Sequence, residues 1–394
     1  MIVDLHAHYA MHLLPQSAGT PIDLFSTANG RDRLRDRIRA RLIGLASRIA
    51  NYRSFESGPR VTVPQLQQGR VGVALSVVYS FFDELDLDAP YGAPPGADYL
   101  PRLIRQLDMV EADIDNDHPG AAAVVRDPEA LDRELESGRV ALIHCVEGGF
   151  HLGETPEVVD AAVTTLARRG VAYIVLPHLL WRGVATNSPA LPFLPDWLYR
   201  LLFPQPELGL SELGTAAVRA MVREGVVIDL SHMSTRALAD TFELLDELDP
   251  DRRVPVIASH SAFRFGHQEY GVDEETVQRI AGRGGAVGLI FAQHQLNDGV
   301  RHGTTSSFED SFEVICKHLD RVAEISGSHE YTAIGSDFDG FIKPTMGGLE
   351  SMTDMARLEG ALCEHYGAED AERICSANAL RVLRNGWGAR GRSG

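Results

Sequence analysis

This chain of 394 residues is poor in cysteine, poor in positive charge and without a long hydrophobic run. Its four Cys, at Cys145, Cys316, Cys363 and Cys375, form no C-x-x-C pair, which argues against a thiolate zinc cluster or a thioredoxin-like redox motif. Four Cys in so long a chain do not make a disulfide framework, so buried or incidental thiols are expected. Lys plus Arg number 37 against 55 Asp plus Glu, a formal charge of −18. A nucleic-acid binder needs a basic stripe to displace counterions, so that class is disfavoured. An anionic small molecule is not excluded, because a local site can oppose the global field. The longest uncharged apolar run, Val71 to Phe82, is interrupted by Gly72 and Ser76 and is too short to cross a bilayer. The N-terminus reads MIVDLHAH, with neither a basic nor an apolar leader region, so a cytoplasmic address is expected. There is no internal repeat and no low-complexity block. No glycine-rich phosphate loop follows the first apolar run, which argues against an open dinucleotide-binding sheet.

What the chain does have is histidine, 15 residues against four Cys, and a regular alternation of short apolar runs with amphipathic stretches. The runs are Ile2–Leu5, Val71–Tyr79, Val140–Cys145, Ala172–Leu176, Val226–Leu230, Val254–Ala258, Ala286–Phe291 and Tyr331–Ile334. They are rich in Val and Ile and mostly lack polar alternation, as strands buried on both faces should be. Helices are expected between them, over Pro156–Arg169, Ser211–Glu224, Ser234–Leu248, Asp273–Arg283 and Ser307–Ser326. Thr155 is a candidate N-cap for the first of these, and Gly170 and Gly225 are candidate stops. Eight strands alternating with helices predict an α/β fold, a (β/α)8 TIM barrel. Residues 1–385 read as one barrel domain with insertions at about 10–65 and 189–209. The arginine-rich stretch Arg31–Asn51 in the first reads as a solvated helix, and the Pro-rich second as a loop over the site. Residues 386–394 are expected to form a flexible tail.

In such a barrel the C-terminal strand ends share one face, where catalytic residues collect. The first run ends in His6 and His8, the third reaches Glu147, the fourth His178, the fifth His232, the sixth His260 and the eighth Asp337. Residues i and i+2 of a strand point the same way, so His6 and His8 can grip one cation. Neutral imidazole and carboxylate suit zinc and related divalent ions, and the two oxygens of Glu147 can bridge a pair of them. Asp4 and Asp229 each lie two residues before such a His and could orient an imidazole.

On these residues the chain resembles the membrane (renal) dipeptidase family, peptidase family M19, of the amidohydrolase superfamily. The matching segments are DLHAH at Asp4–His8, VEGG at Val146–Gly149, the His178 region, GLSELG at Gly209–Gly214, IDLSHMS at Ile228–Ser234 and SHSAFR at Ser259–Arg264. They continue with GGAVGL at Gly284–Leu289, GSDFDG at Gly335–Gly340, GGLE at Gly347–Glu350 and NALRVL at Asn378–Leu383. The resemblance implies a barrel of the metal-dependent hydrolase type with inserted loops, holding two divalent ions, zinc by expectation, and cleaving dipeptides as a homodimer. It assigns His6 and His8 to one metal, Glu147 to both, and His232 with His260 to the second. It further implies that His178 binds the substrate carbonyl and that Asp337 transfers the proton, with Asp339 ranked behind it.

Two departures bear on the substrate. Many members carry Asp where this chain has His8, which removes one negative charge from the metal site. The family often has an Arg shortly after the SHS segment, where it binds the dipeptide's C-terminal carboxylate. Here Gly266 opens GHQEYGVDEE, with Glu269 or Tyr270 in that place and no Arg before Arg279. A carboxylate there would repel a free C-terminus. Arg264, Arg182 and Lys343, with Tyr270, are the candidate substrate contacts. The expected partner is therefore a small molecule, a dipeptide or a related amide. The alternatives are the same centre acting on a non-dipeptide amide, ester or lactone, and a non-catalytic metal-binding barrel.

Overall fold

The computed structural model describes residues 1–13, 58–79, 84, 91–93, 99–191, 194–340 and 344–388. The expected helix over 31–51 and the residue Lys343 lie outside them.

Nine parallel strands are found among the described residues: β1 (Ile2–Ala7), β2 (Val71–Val78), β3 (Ala122–Val125), β4 (Val140–Glu147), β5 (Tyr173–Val175), β6 (Val227–Asp229), β7 (Val256–Ser261), β8 (Ala286–Leu289) and β9 (Thr332–Ile334). The hydrogen-bonded order runs β2-β1-β9-β8-β7-β6-β5-β4, and β2 pairs with β4 in turn, so eight strands close on themselves. This is the (β/α)8 barrel. The eight predicted runs each supply one barrel strand. The ninth, β3, was missed because AAVV is short and alanine-rich. It pairs only with the first half of β4, Ala122 against Val140 to Val125 against Ile143, while β5 takes the same edge higher up at Val146 and Glu147.

Alternation along the strands separates two cores. Val73, Leu75 and Val77 of β2 join Ala141, Ile143 and Cys145 of β4 in an inner cluster. Ala74, Val78, Leu142 and Val146 pack with helical residues in the outer one. This is the period-two division that a closed sheet wrapped by helices requires. The helices start where their caps predict. Thr155, Ser211, Ser234, Asp273 and Ser307 each accept a hydrogen bond from a first-turn backbone N–H, and Gly225 and Gly327 stop their helices at positive φ. Near the barrel mouth two glycines are sterically required. A Cβ on Gly335 would sit 1.7 Å from the Ser259 carbonyl oxygen, and one on Gly288 2.0 Å from the same atom. No helix among the described residues is long and apolar enough to cross a membrane.

The expected loop over 189–209 contains a helix, Asp196–Leu202, whose Tyr199 packs with Phe203 against Leu179 and Leu180. Of the expected tail, only 386–388 are among the described residues, and they are packed. Gly386 closes the last helix, Trp387 is buried in the inner cluster, and the Gly388 N–H donates to the Gly225 carbonyl at 2.9 Å. The C-terminal helix thus plugs the end of the barrel opposite the strand ends that carry the histidines. Trp387→Ala should therefore cost about 3–5 kcal/mol, the range for emptying a large aromatic site. Urea unfolding would show this, and an unchanged midpoint would return Trp387 to a frayed tail.

Candidate metal centre

The end of every strand except β2, β3 and β8 places a histidine or carboxylate at one mouth of the barrel. His6 lies in β1 and His8 just beyond it. Glu147 closes β4, His178 follows β5, His232 follows β6, His260 lies within β7, and Asp337 follows β9. All seven are buried. The register of β1 shifts between Asp4 and Ala7, and both imidazoles nevertheless converge, with Nε2 atoms 3.3 Å apart. A strand irregularity of this kind re-aims a side chain locally. His232 and Asp337 have φ of 65° and 58°, a left-handed backbone that non-glycine residues adopt at a cost and keep where the surroundings impose it.

Glu147 is the common partner. Its Oε1 lies 3.4 Å from the Nε2 atoms of His232 and His260 and 3.6 Å from that of His6. Its Oε2 lies 3.6 Å from the Nε2 atoms of His8 and His178. Asp337 Oδ1 approaches His8 Nε2 at 3.0 Å and His6 Nε2 at 3.7 Å. Five imidazoles thus turn the same ring nitrogen toward one carboxylate. The grouping by oxygen, His6 with His232 and His260, differs from the pairing that the family resemblance implies.

For His6, His260 and His178 the other ring nitrogen explains the orientation, whereas Nδ1 of His8 and His232 has no hydrogen-bond partner. His6 Nδ1 meets Tyr173 Oη at 2.9 Å and Ser259 Oγ at 3.0 Å, and His260 Nδ1 meets the same Ser259 Oγ at 2.8 Å. His178 Nδ1 lies 2.7 Å from Glu84 Oε2. Glu84 also accepts from the Leu180 N–H at 2.7 Å and from the Tyr79 hydroxyl. Partners of this kind fix the tautomer and leave Nε2 as the free donor. Sequence reasoning missed Tyr173, Ser259 and Glu84. Ser259 stands in the SHS segment beside His260. Glu84 lies six residues beyond the end of β2 in an acidic stretch that carries no periodic signal.

Asp4 and Asp229 act differently from expectation. Asp4 Oδ1 accepts from the backbone N–H groups of His6 and Ser336, at 3.0 and 2.9 Å, and Asp229 Oδ1 from those of Ser231 and Ser259, both at 3.0 Å. They tie neighbouring strand ends together and do not hold an imidazole ring. Burial raises both carboxyls above their usual range, Asp4 to about 6. Asp339 is not in the cluster. Its Oδ2 accepts from the N–H groups of Arg60 and Val61 at 2.9 and 3.0 Å.

The electrostatics are those of a cation site. Burial disfavours a charged Glu147, but His178, His6 and the nearby His232 and His260 hold its pKa well below the usual value. Burial and the neighbouring His260 keep His6 neutral, and burial with His178 lowers His232 to about 4. His178 and His260 shift the other way. Burial opposes the charge of both, yet Glu147 and Glu84 raise His178 to about 9, and Glu147 with Asp337 raises His260. The His232 and His260 Nε2 atoms stand 2.9 Å apart, and Glu147 Oε1 is sealed from solvent with no hydrogen-bond donor. An oxygen and several imidazole nitrogens directed at one space could hold a divalent ion. Three triads have donor atoms within 4.8 Å of one another: His6–Glu147–His260, His6–His8–Asp337 and Glu147–His178–His232.

Leu179, Ala190, Tyr270, Ile290, His294 and Gln295 complete the cavity around His8, Glu147, His178, His232 and Asp337, enclosing about 20 Å³. Of the expected substrate contacts among the described residues, only Tyr270 lines it, with its hydroxyl donating to the His260 carbonyl at 2.7 Å. Arg264 is turned into its own loop, donating to the carbonyls of Gly271 and Glu269, both at 2.8 Å. Arg182 is buried and donates to the Glu84 carbonyl at 2.7 Å, so it braces the segment that holds His178. The expected repulsion by Glu269 also falls away, because its carboxylate pairs with Arg200 and accepts from the Thr235 N–H.

The family described as membrane dipeptidase, peptidase family M19, matches residues 29–388. A protein of Schizosaccharomyces pombe described as an uncharacterized dipeptidase is 26% identical over 341 residues, covering 83% of this chain and 73% of its own. A metallopeptidase from Rhodobacter sphaeroides, solved with a phosphinate mimic of the dipeptide L-Ala-D-Ala, superposes with a TM-score of 0.70 at 19% identity, covering 98% of this chain and 99% of that one. A structure described as the M19 dipeptidase AC gives 0.68 at 20% identity, covering 88% and 96%.

Glu84→Gln removes the carboxylate beside His178 while keeping its size. In the metal-free protein the His178 pKa should fall from about 9. Turnover should fall roughly 10–100-fold, as for other residues that orient a site histidine. NMR titration of the imidazole separates this from general loss of fold, and an unmoved titration would deny Glu84 its role.

Proposed function

This chain belongs to the membrane dipeptidase family, peptidase family M19, and from that premise we propose that it is a binuclear zinc-dependent hydrolase of small amides, with dipeptides as the first substrate class. The observation that carries this reading is the convergence of five imidazole Nε2 atoms within 3.6 Å of the Glu147 carboxylate at one end of the barrel. His6, His8, Glu147, His232 and His260 would hold the ions. When bound, two such cations supply Lewis acidity, making a water acidic near neutral pH and polarising the amide carbonyl.

The remaining work falls to the chain's own side chains. Asp337 Oδ1 faces the mouth beside His8, where it can take the proton of the attacking water and return it to the leaving amine. Its turn keeps it there. The Asp337 N–H donates to the His6 carbonyl at 2.8 Å, and a Cβ on Gly340 would fall 2.0 Å from Asp337 Oδ1. His178, held by Glu84, presents Nε2 to the oxygen that becomes anionic as the carbonyl is attacked. Tyr270 and Leu179 close the cavity against bulk water.

A second reading keeps the centre and changes the substrate to a non-dipeptide amide, ester or lactone. It is favoured by one observation: among the described residues that line the cavity none is Arg or Lys. A non-catalytic metal-binding barrel is disfavoured because every donor position is filled. The resemblance to the family also supports a homodimer, which light scattering would detect at about twice the chain mass of 43.1 kDa.

Metal analysis should find two zinc ions per chain, and chelation should lower the melting temperature because the ions bind only the folded site. The loaded protein should cleave members of an L-L, L-D and D-L dipeptide panel. Asp337→Asn should keep both ions and lose roughly 10²–10⁴-fold in kcat, the span of a removed acid–base group. Wild-type turnover in that variant would take Asp337 out of the reaction. A loaded protein inert on every dipeptide, amide, ester and lactone tested would remove the hydrolase reading.

A further inference from the structure

The cavity carries two polar side chains that neither the metal set nor the proposed reaction uses. His294 and Gln295 sit in the short helix Gln293–Leu296 that follows β8, and both line the space containing His8, Glu147, His178 and Asp337. Both ring nitrogens of His294 and the Oε1 of Gln295 are sealed from solvent and have no hydrogen-bond partner. Buried polar atoms are nearly always paired, so three unpaired atoms on one wall mark a place built for a ligand.

The helix itself is firmly held. Gln293 Nε2 donates to the carbonyls of Thr305 and Thr345, both at 2.7 Å, and Gln268 Nε2 donates to the His294 carbonyl at 2.6 Å. That last bond ties the helix to the loop carrying Tyr270. On its other side His294 borders an outer depression of about 560 Å³ that includes Gln268, Asn297 and Arg301. The wall therefore stands between the metal cavity and the surface.

We infer that His294 and Gln295 form a subsite for an uncharged carboxamide at the end of the substrate, in place of a free carboxylate. The inference rests on the hydrolase reading above and deepens it. A neutral imidazole offers one donor and one acceptor, and Gln295 Oε1 offers a second acceptor. A carboxamide supplies one C=O and two N–H groups and matches all three. A carboxylate only accepts, so it would satisfy the imidazole N–H and leave two acceptors facing its own oxygens. Burial holds the His294 imidazole in its neutral form, with a pKa lowered to about 4 despite Asp337. The arginines expected to offset a carboxylate, Arg182 and Arg264, are bonded to backbone carbonyls elsewhere.

Two measurements test this on the zinc-loaded chain. Calorimetry should show alaninamide binding at least tenfold more tightly than alanine. In turnover, L-Ala-L-alaninamide should exceed L-Ala-L-Ala by at least tenfold in kcat/KM, and the L-D pair should behave likewise. His294→Leu and Gln295→Met should each reduce that ratio at least tenfold, chiefly through KM, with zinc content retained. Equal or tighter binding of alanine overturns the inference, as does an unchanged ratio in both folded variants. Loss of zinc in His294→Leu would make His294 a metal ligand and also overturn it. If neither dipeptide is hydrolysed, the hydrolase reading fails by itself, and the alaninamide–alanine comparison still decides the subsite.

Discussion

One buried carboxylate organises this protein. Glu147 has no positively charged Lys or Arg against it among the described residues. Five imidazoles approach it, and desolvation opposes both its charge and theirs. Such a cluster is unfavourable on its own, since neutral imidazoles turned toward one another expose lone pairs and protonated ones repel. Divalent cations would resolve the conflict, by accepting the lone pairs of the ligating imidazoles and pairing with the carboxylate.

The fold is arranged to keep this costly cluster in place. Asp4 ties β1 to the end of β9, and Asp229 ties β6 to β7, each through one oxygen that accepts two backbone N–H groups. Ser259 serves two imidazoles from a point where Gly288 and Gly335 allow the neighbouring strands to approach its carbonyl. The register shift in β1 and the left-handed backbone at His232 and Asp337 are local departures from regular geometry at the same mouth. Strain gathered there is sustained by the inner core and the C-terminal helix below it.

On the substrate side, charge is handled by pairing within the scaffold. Arg182, Arg264 and Arg200 are each engaged with a carbonyl or carboxylate of the surrounding loops, and Glu269 is neutralised in the process. Among the described residues, what faces the cavity besides the histidine and carboxylate cluster is apolar or neutral and polar: Leu179, Ile290, Tyr270, His294 and Gln295. The chemistry of the centre and the chemistry of its wall are thus set by different residues on different loops.

Much of this was legible in the sequence. The eight Val- and Ile-rich runs and the helix caps specified the barrel, because burial on both faces and unsatisfied helix ends leave a signature within a few consecutive residues. The convergence of His6, His8, Glu147, His178, His232, His260 and Asp337 on one mouth was legible because each sits at or just past a strand end, and closure of the barrel brings all strand ends together. Residues whose role depends on a partner distant in the chain were not legible. Glu84 meets His178 across 94 positions, Tyr173 meets His6 across 167, and Asp339 turns to Arg60. β3 escaped because its pairing, not its composition, makes it a strand. The sequence by itself determined the elements and the kind of donor each strand end carries, since propensity and residue chemistry are local. Only the tertiary structure decided which ring nitrogen points inward, which arginines are occupied and which polar atoms remain unpaired, because those depend on what lies within about 3 Å in space.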